Sequence, residues 1–386
     1  MIETMRFSTA LRDRARRRLE ELGHAEIVVG IPCYNVASTI GHVVTTVSKG
    51  LERYFPDKRA LIIIADGGSV DDTREEADRI QLNSFNIEKI IFIYRGVPGK
   101  GSAIRAILEA ADFLKSQVCI TVDAYLISIT PEWIKNLADP IIDLGYDFVT
   151  PYYRRYKYDG TITNTIAYNL VRALYGLRVR QPIGGDFAMS RALVKHFLQH
   201  DVWETDVAKF GIDIWMTTTA IVHSFRICQA RLGVKIHAAK DPAQHLGPMF
   251  RQVVSTTFIL MEQYHRFWRK IRGSKPVEIV GKEPPGEAKP FSINLDYLVD
   301  YFKLGFKNFG PVWKNVVGND TYTLLAELVK LPPENFHMPG EMWAKIVYDF
   351  AATFHSWPMQ RIKLVDLMLP LYHARVASIV NDLRDI

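Results

Sequence analysis

The chain of 386 residues contains no apolar run approaching the roughly 18–20 residues that cross a bilayer, so no membrane span is expected. Cysteine is scarce. Cys33, Cys119 and Cys228 are scattered, odd in number and without metal-ligand spacing, which excludes a disulfide framework or a zinc cluster and fits a reducing cytoplasm. The stretch MIETMRFSTALRDRARRRLEEL has basic residues but no apolar core behind them, so it does not read as a secretory signal, and a cytoplasmic location is expected. Charge of one sign is not in large excess: 48 Lys and Arg stand against 42 Asp and Glu, a net of +6. The densest basic cluster, Arg12, Arg14, Arg16, Arg17 and Arg18, shares an amphipathic helical pattern with Leu11, Ala15, Leu19 and Leu22 and reads as a solvated helix face, with contact to a membrane surface or an anionic partner as the alternative. Nucleic acid is therefore not an expected partner, whereas a mildly basic surface suits anionic small molecules. No internal repeat is visible.

What is present is alternation. EIVVGIPCYN, RALIIIADGG, IEKIIFIYRG and QVCITVDAY are runs of apolar, largely β-branched residues. Helical patterns separate them, as in ASTIGHVVTTVSKGLERYF, where Ile40, Val43, Val44, Val47 and Leu51 share a face and Ser38 is the expected N-cap. This predicts an α/β fold with a mostly parallel sheet buried on both faces. We expect an N-terminal helix over residues 1–25, a sheet domain over 26–250 and a helical, aromatic-rich region over 251–386. The Pro/Gly-rich segment 274–292 is expected to be a flexible loop.

Ligands in such sheets sit at the carboxyl ends of the strands, where Asn35, Asp66, Gly99-Lys100-Gly101 and Asp123 all fall. A carboxylate followed by two glycines, as at Asp66, suits the edge of a base or ribose, or else caps its own turn. Lys100 between glycines before a helix suits diphosphate oxygens, although the spacing is not that of a Walker loop. Downstream, QPIGGDFAMSRAL places Gly184 and Gly185 before Asp186, which suits a sugar hydroxyl or a plain helix start. In KFGIDIWMTTTAIV a lone acid, Asp213, sits among apolar residues and must be paired or face a cavity. His237 and His245 follow in LGVKIHAAKDPAQHLGPM; His237 closes a strand-like run and is a candidate contact for metal or phosphate.

In that order, IPCYN, ADGGSVDDT, GKG, DAY, QPIGGD and a late histidine resemble the glycosyltransferases of GT-A fold. QPIGGD with LGVKIH resembles the retaining glucosyl-3-phosphoglycerate synthases, and YYRRYKYDGTIT, FGIDIWMTTTA and the helical C-terminus resemble the mannosylglycerate synthases. The resemblance covers roughly residues 26–386. It implies a donor side formed by Pro32, Asn35, Asp66, Lys100, Asp123, Ala124, Gly184 and Gly185, with Asp66 on the nucleotide and Lys100 on the diphosphate. It implies an acceptor side of Arg155, Asp159, Thr163 and Asp186, with Arg155 clamping the carboxylate of glycerate. Asp123, Asp213 and Arg155 are then the catalytic candidates. His237 and Asp123 would hold Mg²⁺ or Mn²⁺. The implied substrates are a nucleoside diphosphate sugar, carrying glucose or mannose, and D-glycerate, giving a compatible solute; a homo-oligomer is expected.

Two departures qualify that expectation. Phosphoglycerate-using relatives carry an arginine two residues before the matching threonine. Here that position is Thr161, which favours free glycerate over 3-phosphoglycerate. The metal-binding Asp-x-Asp of many relatives reads Asp123-Ala124-Tyr125, and a neutral phenol is a poor ligand for a hard cation, so metal binding is expected to be weakened. An inverting transferase with Asp186 or Asp213 as general base, and a nucleotide-sugar-binding protein of low activity, stay open as alternatives.

Overall fold

The computed structural model describes residues 8–236, 242–357 and 360–384, with only the backbone described over 242–245. It separates into two compact units: Met1–Arg154, Val171–Ala238 and Arg266–Ala288 form the first, and Arg155–Leu170, Ala239–His265 and Lys289–Ile386 the second. The division differs from the expected boundaries at 25 and 250. The helix Asp13–Leu22 (α1) belongs to the first unit, residues 155–170 to the second, and 266–288 return to the first.

The first unit is a sheet covered by helices, the α/β arrangement expected. Ile27–Cys33 (β1), Ala37–Tyr54 (α2), Ala60–Asp66 (β2), Thr73–Arg79 (α3), Ile87–Ile93 (β3), Lys100–Phe113 (α4) and Val118–Thr121 (β4) alternate as the apolar runs predict. Pro131–Ile142 (α5), Phe148–Arg154 (β5), Tyr168–Tyr175 (α6, only its last residues in this unit), Leu177–Arg178 (β6), Phe187–Ser190 (β7), Arg191–Leu198 (α7), Ile212–Val222 (α8) and Ile227–Val234 (β8) follow. The strand order is β10-β8-β5-β7-β4-β1-β2-β3, where β10 is Ile279–Val280. Every pairing in it is parallel except those of β7, which runs antiparallel between β4 and β5. The reversal matters, because it brings the start of β7 to the carboxyl end of β4, with Phe187 opposite Thr121.

Burial on both faces explains the composition of these strands. Ile27, Val29 and Ile31 pack with Ile40, Val43, Val44 and Val47 of α2 and with Trp133, Ile134 and Leu137 of α5. Each such aliphatic side chain contributes about 1.5–3 kcal/mol when fully buried. The five α2 residues expected on one face are all completely buried. The cap is a correction: α2 starts at Ala37, before Ser38. Its leading amides are satisfied from the neighbouring loop, Val36 N–H donating to Thr73 Oγ1 at 2.8 Å and Ala37 N–H to Asp71 Oδ2 at 3.1 Å. Part of the expected loop 274–292 is also paired: Lys275–Pro276 (β9) adds to β6, and β10 extends the main sheet beside β8.

The second unit is helical: Pro242–Gln263 (α9), His265–Trp268 (α10, only its first residue here), Leu295–Leu328 (α11), Gly340–Ser356 (α12) and Arg361–Asp382 (α13), with a π-helical turn at Thr163–Ala167. Aromatic side chains fill it, Phe250, Phe258, Phe302, Trp313, Phe336, Phe350 and Tyr372 all being fully buried. Their polar ends are matched, as when Trp313 Nε1–H donates to Leu367 O and Trp343 Nε1–H to Thr165 O, both at 2.9 Å. Among the described residues no helix is long and apolar enough to cross a membrane.

Candidate active site

At the carboxyl edge of the first unit's sheet, two lysines and three carboxyl groups form one buried network. Asp123 follows β4 and is 3% exposed. Its Oδ1 is 2.9 Å from Lys100 Nζ; its Oδ2 is 2.8 Å from Lys235 Nζ and accepts the Tyr125 hydroxyl at 2.9 Å. Lys100 also reaches Asp213 Oδ2 at 3.2 Å. Lys235, just beyond β8, donates at 2.8 Å to Asp186 Oδ2 and to the Gly184 carbonyl as well. Asp186 is fully buried; its Oδ1 accepts the Asp123 amide at 2.8 Å, and its Oδ2 accepts the Tyr153 hydroxyl. The antiparallel β7 makes this meeting of Asp123 and Asp186 unavoidable.

Burial pushes the Asp123 carboxyl upward, but the ammonium groups of Lys100 and Lys235 outweigh it and hold it well below the usual carboxylate range. Asp186 and Asp213 are both raised, by burial first; the Asp123 charge pushes each further up, against the pull of Lys235 on the former and Lys100 on the latter. Lys100 is raised well above its ordinary value: burial opposes its charge, and Asp123 and Asp213 prevail. The Tyr125 phenol is likewise raised, by burial and then by Asp123, so it is neutral. Asp213 Oδ1 is buried and has no hydrogen-bond partner among the described residues. A sugar hydroxyl would satisfy it.

Glycines set the spacing. A Cβ on Gly185, at φ +88°, would lie 2.3 Å from Asp123 Oδ2. A Cβ on Gly101 would lie 1.8 Å from the Val207 carbonyl, and the Gly101 amide donates to Lys209 O at 3.2 Å, so α4 begins pressed against that segment. Nearby, Asp66 is completely buried and anchors its own turn, accepting from the amides of Gly68 and Ser69 at 3.0 Å each and from the Ser69 hydroxyl. Its carboxylate thus shapes the loop rather than facing solvent. Asn35, in left-handed backbone at φ 50°, ties the β1 loop to the β2 loop by accepting the Val70 amide at 3.0 Å. Beside it Tyr34 is 60% exposed.

Residues 28–199 match the family described as glycosyl transferase family 2. That matched segment, less than half of the chain, resembles a family 2 glycosyltransferase domain. The fold is the GT-A type, and the domain is that of a sugar-transferring enzyme. No curated protein matches the chain. Similar solved structures include the glucosyl-3-phosphoglycerate synthase of Mycobacterium tuberculosis with Mg²⁺ and uridine diphosphate, at 26% identity, covering 63% of this chain and 83% of that one, with a TM-score of 0.48. A structure of that synthase with Mn²⁺, uridine-diphosphate-glucose and phosphoglyceric acid is 24% identical, covers 69% of this chain and 93% of that one, and has a TM-score of 0.48.

The described residues of the glycosyltransferase domain do not fit a divalent ion at Asp123. A hard cation needs carboxylate lone pairs, and both oxygens of Asp123 already accept from ammonium groups. The second-acid position is a neutral phenol that donates to Asp123 instead of binding a cation. His237 lies outside the described residues. Of the other expected residues, Pro32 is the penultimate residue of β1 and Ala124 is buried beside Asp123. Arg155, Asp159 and Thr163 belong to the second unit. There Arg155 Nη1 is 2.9 Å from Asp159 Oδ2, Thr163 is buried in the π turn, and Thr161 is hydrogen-bonded to the Tyr372 hydroxyl.

Sequence reasoning missed Lys235 and Tyr153. The signal for Lys235 was present in LGVKIH, where a lysine closes an apolar strand. A cation so placed is buried only with partners, and the partners lie far away in sequence.

Proposed function

We propose that the chain transfers glucose or mannose from a nucleoside diphosphate sugar to the 2-hydroxyl of D-glycerate, with retention at the anomeric carbon. The observation that carries this reading is the network of Lys100 and Lys235 around Asp123 in a family 2 domain. It places two ammonium groups at the strand ends, and it leaves Asp123 and Asp186 pinned rather than free to act as bases. In the retaining route the acceptor hydroxyl attacks the anomeric carbon from the face the diphosphate leaves, and a departing phosphate oxygen takes its proton. No enzyme carboxylate is consumed. Lys100 would balance the charge that develops on the leaving diphosphate, usually the largest catalytic term, while Lys235 holds Asp123 and Asp186 in place. Tyr34 offers its exposed ring to the base, and Asp213 Oδ1 a lone pair to a hydroxyl of the transferred sugar. For the acceptor, the resemblance points to Arg155 and Thr163, and the carboxylate of glycerate would compete with Asp159 for the guanidinium. Thr161 in place of an arginine favours glycerate over its 3-phosphate.

One observation favours a second reading. Asp213 has a raised carboxyl and an unsatisfied oxygen, which are the properties of a general base in an inverting reaction. The test is a screen of uridine, guanosine and adenosine diphosphate glucose and mannose against D-glycerate and 3-phosphoglycerate. It is run with EDTA, Mg²⁺ or Mn²⁺, beside Tyr125→Asp, and read by nuclear magnetic resonance of the product anomer. An α-linked glycosylglycerate formed in EDTA is expected. A β-linked product would establish the inverting route, and donor binding by calorimetry without any glycoside would replace the enzyme with a binding protein.

A further inference from the structure

Away from the strand ends, the first unit gathers three imidazoles that the transfer reaction does not use. His196 is near the end of α7, His200 lies two residues beyond that helix, and His223 caps the end of α8. Their ligand nitrogens all lie within 4.8 Å of one another, and the Nε2 atoms of His196 and His200 are 3.3 Å apart. In a tetrahedral complex with metal–nitrogen bonds of about 2.0–2.1 Å, ligand atoms are separated by about 3.3 Å, so this pair already stands at a coordination edge. The rings are braced: His200 packs edge-on against Trp215 with centroids 5.6 Å apart, and His196 lies 5.2 Å from Phe225. His223 is exposed and packs its ring against His196, with centroids 4.3 Å apart.

We propose that His196, His200 and His223 bind one transition-metal cation of the Zn²⁺, Co²⁺ or Ni²⁺ class. Three imidazoles without a carboxylate suit those borderline ions and not Mg²⁺ or Mn²⁺. Burial, and the repulsion that protonated neighbours would exert, lower the basicity of His196 and His200 and favour the neutral, ligating form. A bound ion would join the end of α7 to the far end of α8 and so close the stretch 201–222, α8 included. Within that segment Lys209 O holds the Gly101 amide at the Lys100 turn. Asp213 lies near the opposite end of α8, about 15 Å away at 1.5 Å per residue, so the metal site is separable from the donor site.

The test uses the full chain without a histidine tag. Zn²⁺ is titrated in competition with a chromogenic chelator, Co²⁺ is followed by its visible absorption, and each variant is checked by circular dichroism. One equivalent with a micromolar or tighter Kd is expected. His223→Ala, at an exposed helix end, should weaken binding at least tenfold, and His196→Ala with His200→Ala should abolish it. Asp213→Asn should leave it unchanged. Wild-type protein that binds no Zn²⁺ at micromolar concentration overturns the proposal, and the 3.3 Å pair is then a hydrogen bond between two tautomers. Binding that survives in all the histidine variants overturns it equally.

Discussion

Replacing Lys235 by Met tests the network where it is most exposed to error. Lys235 Nζ makes three contacts of 2.8 Å, to Asp123, Asp186 and the Gly184 carbonyl, and its side chain is 3% exposed. Methionine preserves much of the volume and removes the charge, leaving Asp186 with Tyr153 and an amide as its remaining donors. Breaking a buried pair by deleting one partner costs about 3–5 kcal/mol. Because burial already raises the Asp186 carboxyl, the variant can relieve part of the loss by taking up a proton there. The deficit should therefore be largest at neutral pH and shrink on acidification. Hydrogen exchange of the paired amides in 118–121 and 187–190 reads it directly. At tenfold per 1.4 kcal/mol, protection should fall by roughly two to four decades at neutral pH. Asp186→Asn introduced beside Lys235→Met should recover part of that loss. A fall of less than tenfold, or one independent of pH, would mean that the lysine is not what balances the two carboxylates.

Asp213→Asn should gain stability relative to the wild type as pH rises from about 4 towards 7. A carboxyl raised by burial favours the folded state while protonated, and that contribution is lost as pH climbs through the folded value, whereas the amide does not titrate. Denaturation midpoints across that range measure the difference, and a constant gap would refute the assignment. Gly101→Ala should destabilise by about 1–3 kcal/mol and weaken nucleotide-sugar binding. The new methyl meets the backbone at Val207 and not a side chain that can rotate away, so the Lys100 turn must shift. Wild-type melting and wild-type affinity by calorimetry would together contradict this.

Much of the frame was legible in the sequence for a physical reason. A strand buried on both faces must be apolar throughout, and the residues that follow it are then the first that can carry chemistry. That rule alone places Asp66, Lys100 and Asp123 at one edge of the sheet. It fails where function depends on who pairs with whom. Nothing local in LGVKIH says that Lys235 will meet Asp123 and Asp186, because the pairing follows from the reversed β7 and from β8 beside β5. The cap of α2 was misread for the same reason, since Ser38 looked sufficient locally and the actual acceptors come from another loop. The Asp66 turn shows a third limit. A carboxylate before two glycines fits both a ligand contact and a self-capped loop, and only the hydrogen-bond partners tell them apart.

The reversed strand also sets an order of assembly. Asp123 and Asp186 are separated by 63 residues along the chain, and Asp123 and Lys235 by 112. At synthesis rates of about 5–20 residues per second, the end of β4 leaves the ribosome roughly 6–22 s before its second ammonium partner. During that interval Asp123 has no Lys235 to offset its desolvation, and closing this edge of the sheet would strand a charge. The strands β1 to β3 can pair early without such a conflict, whereas β7 and β8 gain most by arriving together. The site is therefore expected to form late in the folding of this chain, and fragments that end before Lys235 should hold the carboxyl edge of β4 open to water.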